Sequence, residues 1–78
     1  MDWEAVPDRV QRYPFTTKGW EVFVQFQPAD NGWRCWVKRP GVIWGIERTF
    51  VAGGPEAEDD AKRAALALAE AQPKGGLR

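Results

Sequence analysis

The sequence predicts an α+β domain: a three-stranded antiparallel β-meander, one C-terminal α-helix packed on one of its faces, and a short N-terminal arm. Three observations carry that prediction. Residues alternate between apolar and polar from Trp20 to Gln27, Gly- and Pro-marked turns follow, and an alanine-rich stretch with helix-start signals comes last. The expected boundaries are an arm over 1–19, a β-β-β-α domain over 20–72 and a flexible tail over 73–78.

In the first strand Trp20, Val22, Val24 and Phe26 are apolar, while Glu21, Gln25 and Gln27 are polar. Side chains along a strand point alternately to opposite faces, so the even positions share one face. The run 28–32 reads as a loop, Trp33–Lys38 as the second strand, and Pro40-Gly41 as the next turn. Pro presets the first central dihedral of such a turn and Gly accepts the positive one. The third strand runs from Val42 to about Val51, weakened by Gly45. A two-residue turn would pair Val37 with Trp44, Cys35 with Ile46 and Trp36 with Gly45. The first loop would pair Phe26 with Trp33, Val24 with Cys35 and Phe23 with Trp36. Both assumptions place the same residues on one face, as a consistent register requires. That face, with Trp20, Val22, Val24, Phe26, Trp33, Cys35, Val37, Trp44 and Ile46, is the predicted core. The primed turns match strand twist better than a Pro-Gly type II turn, so a bulge near Gly41 is the alternative.

Gly53-Gly54-Pro55 opens a helix expected to reach about Gln72. Pro suits the first helical position, and Glu56, Glu58, Asp59 and Asp60 sit at the positive end of the helix dipole. Glu58 with Lys62, and Asp59 with Arg63, are i,i+4 pairs in the favourable order. Ala57, Ala61, Ala64, Ala65 and Leu68 form one stripe, whose small side chains leave room for the large rings of the sheet. In the arm, Asp8 is read as capping one short helical turn through Tyr13, stopped by Pro14. Trp3, Val6, Val10, Tyr13 and Phe15 are apolar enough to cover one end of the core or an open sheet edge.

Composition narrows the function. The 78 residues carry eleven Lys+Arg, eleven Asp+Glu, no His and one Cys. Without histidine there is no His metal site, no Ser-His or Cys-His pair and no neutral-pH imidazole switch. A lone Cys35 forbids an internal disulfide and points to a cytoplasmic, reducing setting. No apolar run approaches the roughly 20 residues of a membrane span, and Met-Asp-Trp-Glu does not read as a signal peptide. No metal or cofactor is expected. Charge is nonetheless uneven: the helix region is acidic and the strand region basic.

The second sheet face is the surface predicted to act. It carries Phe23 and Trp36 as a cross-strand pair, Ile43 nearby, and Arg34 and Lys38 around them, with Glu21, Gln25, Glu47 and Thr49 on the same side. Adjacent exposed rings rimmed by polar groups are common anatomy for an interaction site. Two structural roles compete: Trp36 shielding a bare Gly45, or the arm folding over the face with Trp3 or Phe15. A protein partner is the leading expectation, through Phe23, Arg34, Trp36, Lys38 and Ile43. Single-stranded nucleic acid stacking on the same face is the first alternative, and a homodimer through an edge strand or this face is the second. The acidic helix start reads as dipole complementation before it reads as a mimic of phosphates. Catalysis is not expected. Glu21 and Glu47 lie two strand spacings apart on an open sheet, and Gly53-Gly54-Pro55 lacks the lysine of a phosphate loop.

With its helix reading Asp60-Ala61-Lys62-Arg63-Ala64-Ala65-Leu66-Ala67-Leu68-Ala69 after three antiparallel strands, the stretch 20–72 resembles the C-terminal two-thirds of a double-stranded-RNA-binding domain. That resemblance implies topology. It does not carry RNA-binding residues, because the family's lysine cluster at the start of the last helix is replaced here by Glu56, Glu58, Asp59 and Asp60. The family's first helix would have to fit within residues 2–13. In size and in lack of chemistry the chain is also similar to small phage-encoded inhibitors, anti-CRISPR proteins among them.

Overall fold

A computed structural model describes residues 3–14, 16, 19–42 and 45–72, with 46–52 described at the level of the backbone. Strands β1 (Glu4–Val6), β2 (Val10–Tyr13), β3 (Glu21–Gln27), β4 (Gly32–Lys38) and β5 (Ile46–Ala52) form one antiparallel sheet in sequential order. Helix α1 (Glu58–Glu70) follows a 3₁₀ turn at Pro55–Ala57 and packs across β3 and β4. The expected class, a small α+β domain with an antiparallel sheet and a C-terminal helix, is what the chain adopts. The count of three strands is corrected: β2 and the three-residue edge strand β1 extend the sheet on the β3 side.

The additional strands come from the arm, where one helical turn was expected. Asp8 and Arg9 take φ of +68° and +63°, and consecutive left-handed residues reverse the chain into a hairpin instead of propagating a helix. Gln25 fastens that turn to β3, its Nε2 donating to the Asp8 carbonyl at 2.9 Å. The strand β2 then pairs Arg12 with Phe23 and Tyr13 with Val22, so the arm does close a sheet edge. Trp3 packs on the helix side, with its ring centroid 5.4 Å from Tyr13 and the Lys62 ammonium 5.3 Å away. It therefore does not fold over the second face; Phe15 lies outside the described residues.

The β3–β4 hairpin has the predicted register, with Phe26 opposite Trp33, Val24 opposite Cys35 and Phe23 opposite Trp36. The β4–β5 register is displaced by two residues from expectation. Val37 pairs with Ile46 rather than Trp44, and Trp36 with Glu47 rather than Gly45. The Pro40-Gly41 turn does form, with Gly41 at φ +81° and the Val42 N–H donating to the Arg39 carbonyl at 3.1 Å. Beyond the turn, the described chain meets β4 again at Gly45, and pairing is described from Ile46 onward. A Cβ on Gly45 would stand 2.2 Å from the Val37 carbonyl oxygen, so only glycine permits that approach. Among the described residues the register irregularity lies between Trp33 and Cys35.

The core lies between the sheet and α1. Val22, Val24, Val37, Ala61, Ala65 and Ala69 are fully buried, with Trp20, Trp33, Cys35 and Leu68 nearly so and Phe26 partly. Burying each valine stabilises the fold by roughly 1.5–3 kcal/mol. Trp44 lies outside the described residues, and for Ile46 the backbone alone is described. The helix stripe differs at one position: Ala64 is exposed and Ala69 takes its place. At about 100° per residue these two alanines flank the stripe on opposite sides, and the sheet lies on the Ala69 side. Glu58 pairs with Lys62 at 2.6 Å as expected, whereas Arg63 turns to Asp60 instead of Asp59. The helix ends at Glu70, two residues before the expected Gln72, and the tail 73–78 lies outside the described residues.

Candidate functional site on the open sheet face

Strand alternation sends Glu21, Phe23, Gln25, Arg34, Trp36 and Lys38 to the face away from α1, and β2 adds Arg12 while β1 adds Glu4. Two rows of contacts cross this face. One is ionic and runs over four strands. Arg12 donates to Glu4 at 2.9 Å and to Glu21 Oε2 at 2.7 Å, and Lys38 Nζ lies 2.8 Å from Glu21 Oε1. Both Glu21 oxygens are thus engaged. Burial pushes the Glu21 carboxyl upward, but the hydrogen bonds from Arg12 and Lys38 outweigh it and hold the group below its ordinary value. The same bond to Glu21 raises the Arg12 guanidinium.

The other row is aromatic. Phe23 and Trp36 stack with centroids 5.2 Å apart and planes 4° from parallel. The Arg34 guanidinium carbon lies 4.9 Å from the Trp36 ring centre, and the Lys38 ammonium 5.9 Å from that of Phe23. Such cation–ring contacts are worth about 0.5–1 kcal/mol at exposed sites.

Of the residues predicted to act, the structure brings Phe23, Arg34, Trp36 and Lys38 together, and Ile43 lies outside the described residues. One expectation is corrected. Phe23 is not an exposed ring: only 9% of it is accessible, because it lies under the stacked Trp36 beside Lys38 and Arg12. Trp36 is half-buried and forms the accessible part of the pair. Shielding of Gly45 by Trp36 is not the arrangement, since Trp36 stands opposite Glu47. Arg12 and Glu4 were missed. Neither Glu4-Ala5-Val6 nor Val10-Gln11-Arg12-Tyr13 alternates between apolar and polar residues, so local periodicity gave no strand signal for them.

Of the two acids weighed for catalysis, Glu21 is held by Arg12 and Lys38, and Glu47 is described by its backbone alone. Thr16 is buried, accepts a hydrogen bond from the Trp20 N–H through Oγ1 at 3.1 Å, and bonds the Trp20 carbonyl through its own N–H at 3.0 Å. Thr17 and Lys18 lie outside the described residues. Among the described residues no three His, Cys, Asp or Glu side chains converge as a metal site would require, and no helix is long and apolar enough to cross a membrane. No protein-family model matches the chain, and no curated protein or solved structure matches it either.

Proposed function

We propose that this protein is a non-enzymatic binding module, an inhibitor or adaptor, that engages a protein partner through Trp36, Arg34 and Lys38 on the open sheet face, with Phe23 as the underlayer. The supporting observation is that a half-exposed tryptophan, stacked and flanked by cations, stands on a face that no described element covers. Trp and Arg are the side chains most enriched at interface hot spots, and a ring already held by a neighbour loses little freedom on binding. Nucleic acid is the weaker reading. Phe23 occupies one face of Trp36, and Glu21 compensates the charge of Arg12 and Lys38.

Quantitative affinity capture from the native host, with wild type and Trp36→Ala in parallel, tests the proposal. A protein retained by the wild type and reduced at least about tenfold by the variant, at unchanged circular dichroism, supports it. An identical captured set overturns it. Salt-steep oligonucleotide binding would transfer the face to nucleic acid, and a mass that doubles with concentration would transfer it to self-association.

A further inference from the structure

A groove of about 330 Å³ opens at the other end of the sheet, between the β1–β2 hairpin, the Phe26–Trp33 pair and the start of the helix. Val6 and Val10 form one wall and Pro55 another. Phe26, partly buried, supplies the aromatic surface, and the buried Trp33 backs it at a 54° tilt with centroids 5.3 Å apart. These walls are held from behind. The Trp33 indole N–H donates to the Gly54 carbonyl at 2.7 Å, and the Gly54 N–H donates to the Asn31 carbonyl at 3.0 Å. The aromatic side is therefore ordered before any ligand arrives, which lowers the entropy cost of binding.

The polar groups of the groove are spoken for, with one exception. Gln11 Nε2 donates to Glu58 Oε2 at 2.7 Å, and Lys62 lies 2.6 Å from the same oxygen, so the carboxylate is compensated. The remaining group is Arg9, exposed on the rim and without an ion-pair or hydrogen-bond partner among the described residues. It sits in the left-handed region at φ +63°, in the turn that Gln25 fastens. Local strain of this kind in a non-glycine residue is common at binding sites. Neighbouring Asp8 is not among the walls.

An apolar, ring-lined groove with one uncompensated cation on its rim complements an apolar anion. Its volume is near the lower end of the about 300–1,000 Å³ typical of ligand pockets, which suits one or two fused rings. We propose that this groove binds a small aromatic carboxylate, its ring against Phe26, which the buried Trp33 backs, and its carboxylate on the Arg9 guanidinium. This site is independent of the Trp36 face, and the two proposals fail separately.

The test is amide chemical-shift titration of the ¹⁵N-labelled protein with three probes that share one ring system: indole-3-acetate, indole-3-acetamide and tryptamine. The expected result is saturable shifts at Arg9, Val10, Phe26, Trp33 and Glu58. The acid should bind about two- to fivefold more tightly than the amide, the range that one exposed charge pair supports, and the amine should bind most weakly. Arg9→Asn removes the charge with a residue that tolerates left-handed backbone, so the turn should survive and the preference for the acid should vanish. Arg9→Lys should restore part of it. Equal binding of acid and amide, stronger binding of the amine, acid preference that persists in Arg9→Asn, or shifts centred on Trp36 would each overturn the proposal.

Discussion

The two faces of the sheet are built from the same strands and are stabilised differently. On the helix face, Val22, Val24 and Val37 meet Ala61, Ala65 and Ala69 with no accessible surface left, and large rings close the ends. Small helix side chains bring the helix close, so dispersion and apolar burial dominate. On the open face no second layer is present among the described residues. The chain covers Phe23 with a stacked indole and cations, and it settles Glu21 between Arg12 and Lys38. Long amphipathic side chains serve there as a thin roof, apolar along their stems and charged at their ends. The contrast explains why one face is committed to folding and the other leaves Trp36 accessible.

Substitutions on the helix face should break the fold first. Trp33→Ala removes a ring that is 4% exposed together with its hydrogen bond to Gly54, and should cost about 3–5 kcal/mol in urea unfolding. Ala65→Leu adds volume where no space exists and should cost about 1–3 kcal/mol by the same measurement. On the open face, Glu21→Gln leaves Arg12 and Lys38 without their shared carboxylate. Both cations are partly exposed, so water softens the loss to about 1–2 kcal/mol. Trp36→Ala should cost only about 1 kcal/mol of stability, from the lost stack, while partner affinity falls at least about tenfold. A stability loss from Trp36→Ala that matches Trp33→Ala would erase the distinction between the faces.

Acid gives the smallest and most diagnostic effect. Glu21 is held below its ordinary value as described, and Glu58 is lowered by its hydrogen bonds from Lys62 and Gln11. Each carboxyl therefore binds its proton more weakly in the folded chain than in the unfolded one. Their contribution is present above the unfolded glutamate value near pH ~4.3 and is lost as pH falls through the lower folded values. Unfolding midpoints should decline below that point in the wild type, and the decline should be shallower in Glu21→Gln. An equally steep decline would remove Glu21 from the account.

The central hairpin was legible because its alternation is strict and its loop is short. Phe26, Val24 and Phe23 met their partners, and Trp36 turned away from the helix while Cys35 turned toward it. The second hairpin was legible in its turn but not in its register. Nothing local to the turn says that Val37 will pair with Ile46 rather than Trp44. The first hairpin was missed because Asp8 and Arg9 adopt a backbone conformation for which Gly or Asn is the usual marker. That miss hid Arg12 and Glu4, and with them half of the ionic row. Of the candidate site, the residue types and the face were readable. The depth of Phe23 was not, since burial of one ring by another depends on rotamers that spacing does not encode.

By itself the chain determined which residues share a face. Side-chain direction follows from a two-residue strand period and a 3.6-residue helix period, and both are local properties. Only the assembled structure decided how many strands join the sheet, whether Ala64 or Ala69 meets it, and which cations reach Glu21. Those outcomes depend on contacts between segments distant in sequence, where a turn that splays by a few residues moves every partner that follows.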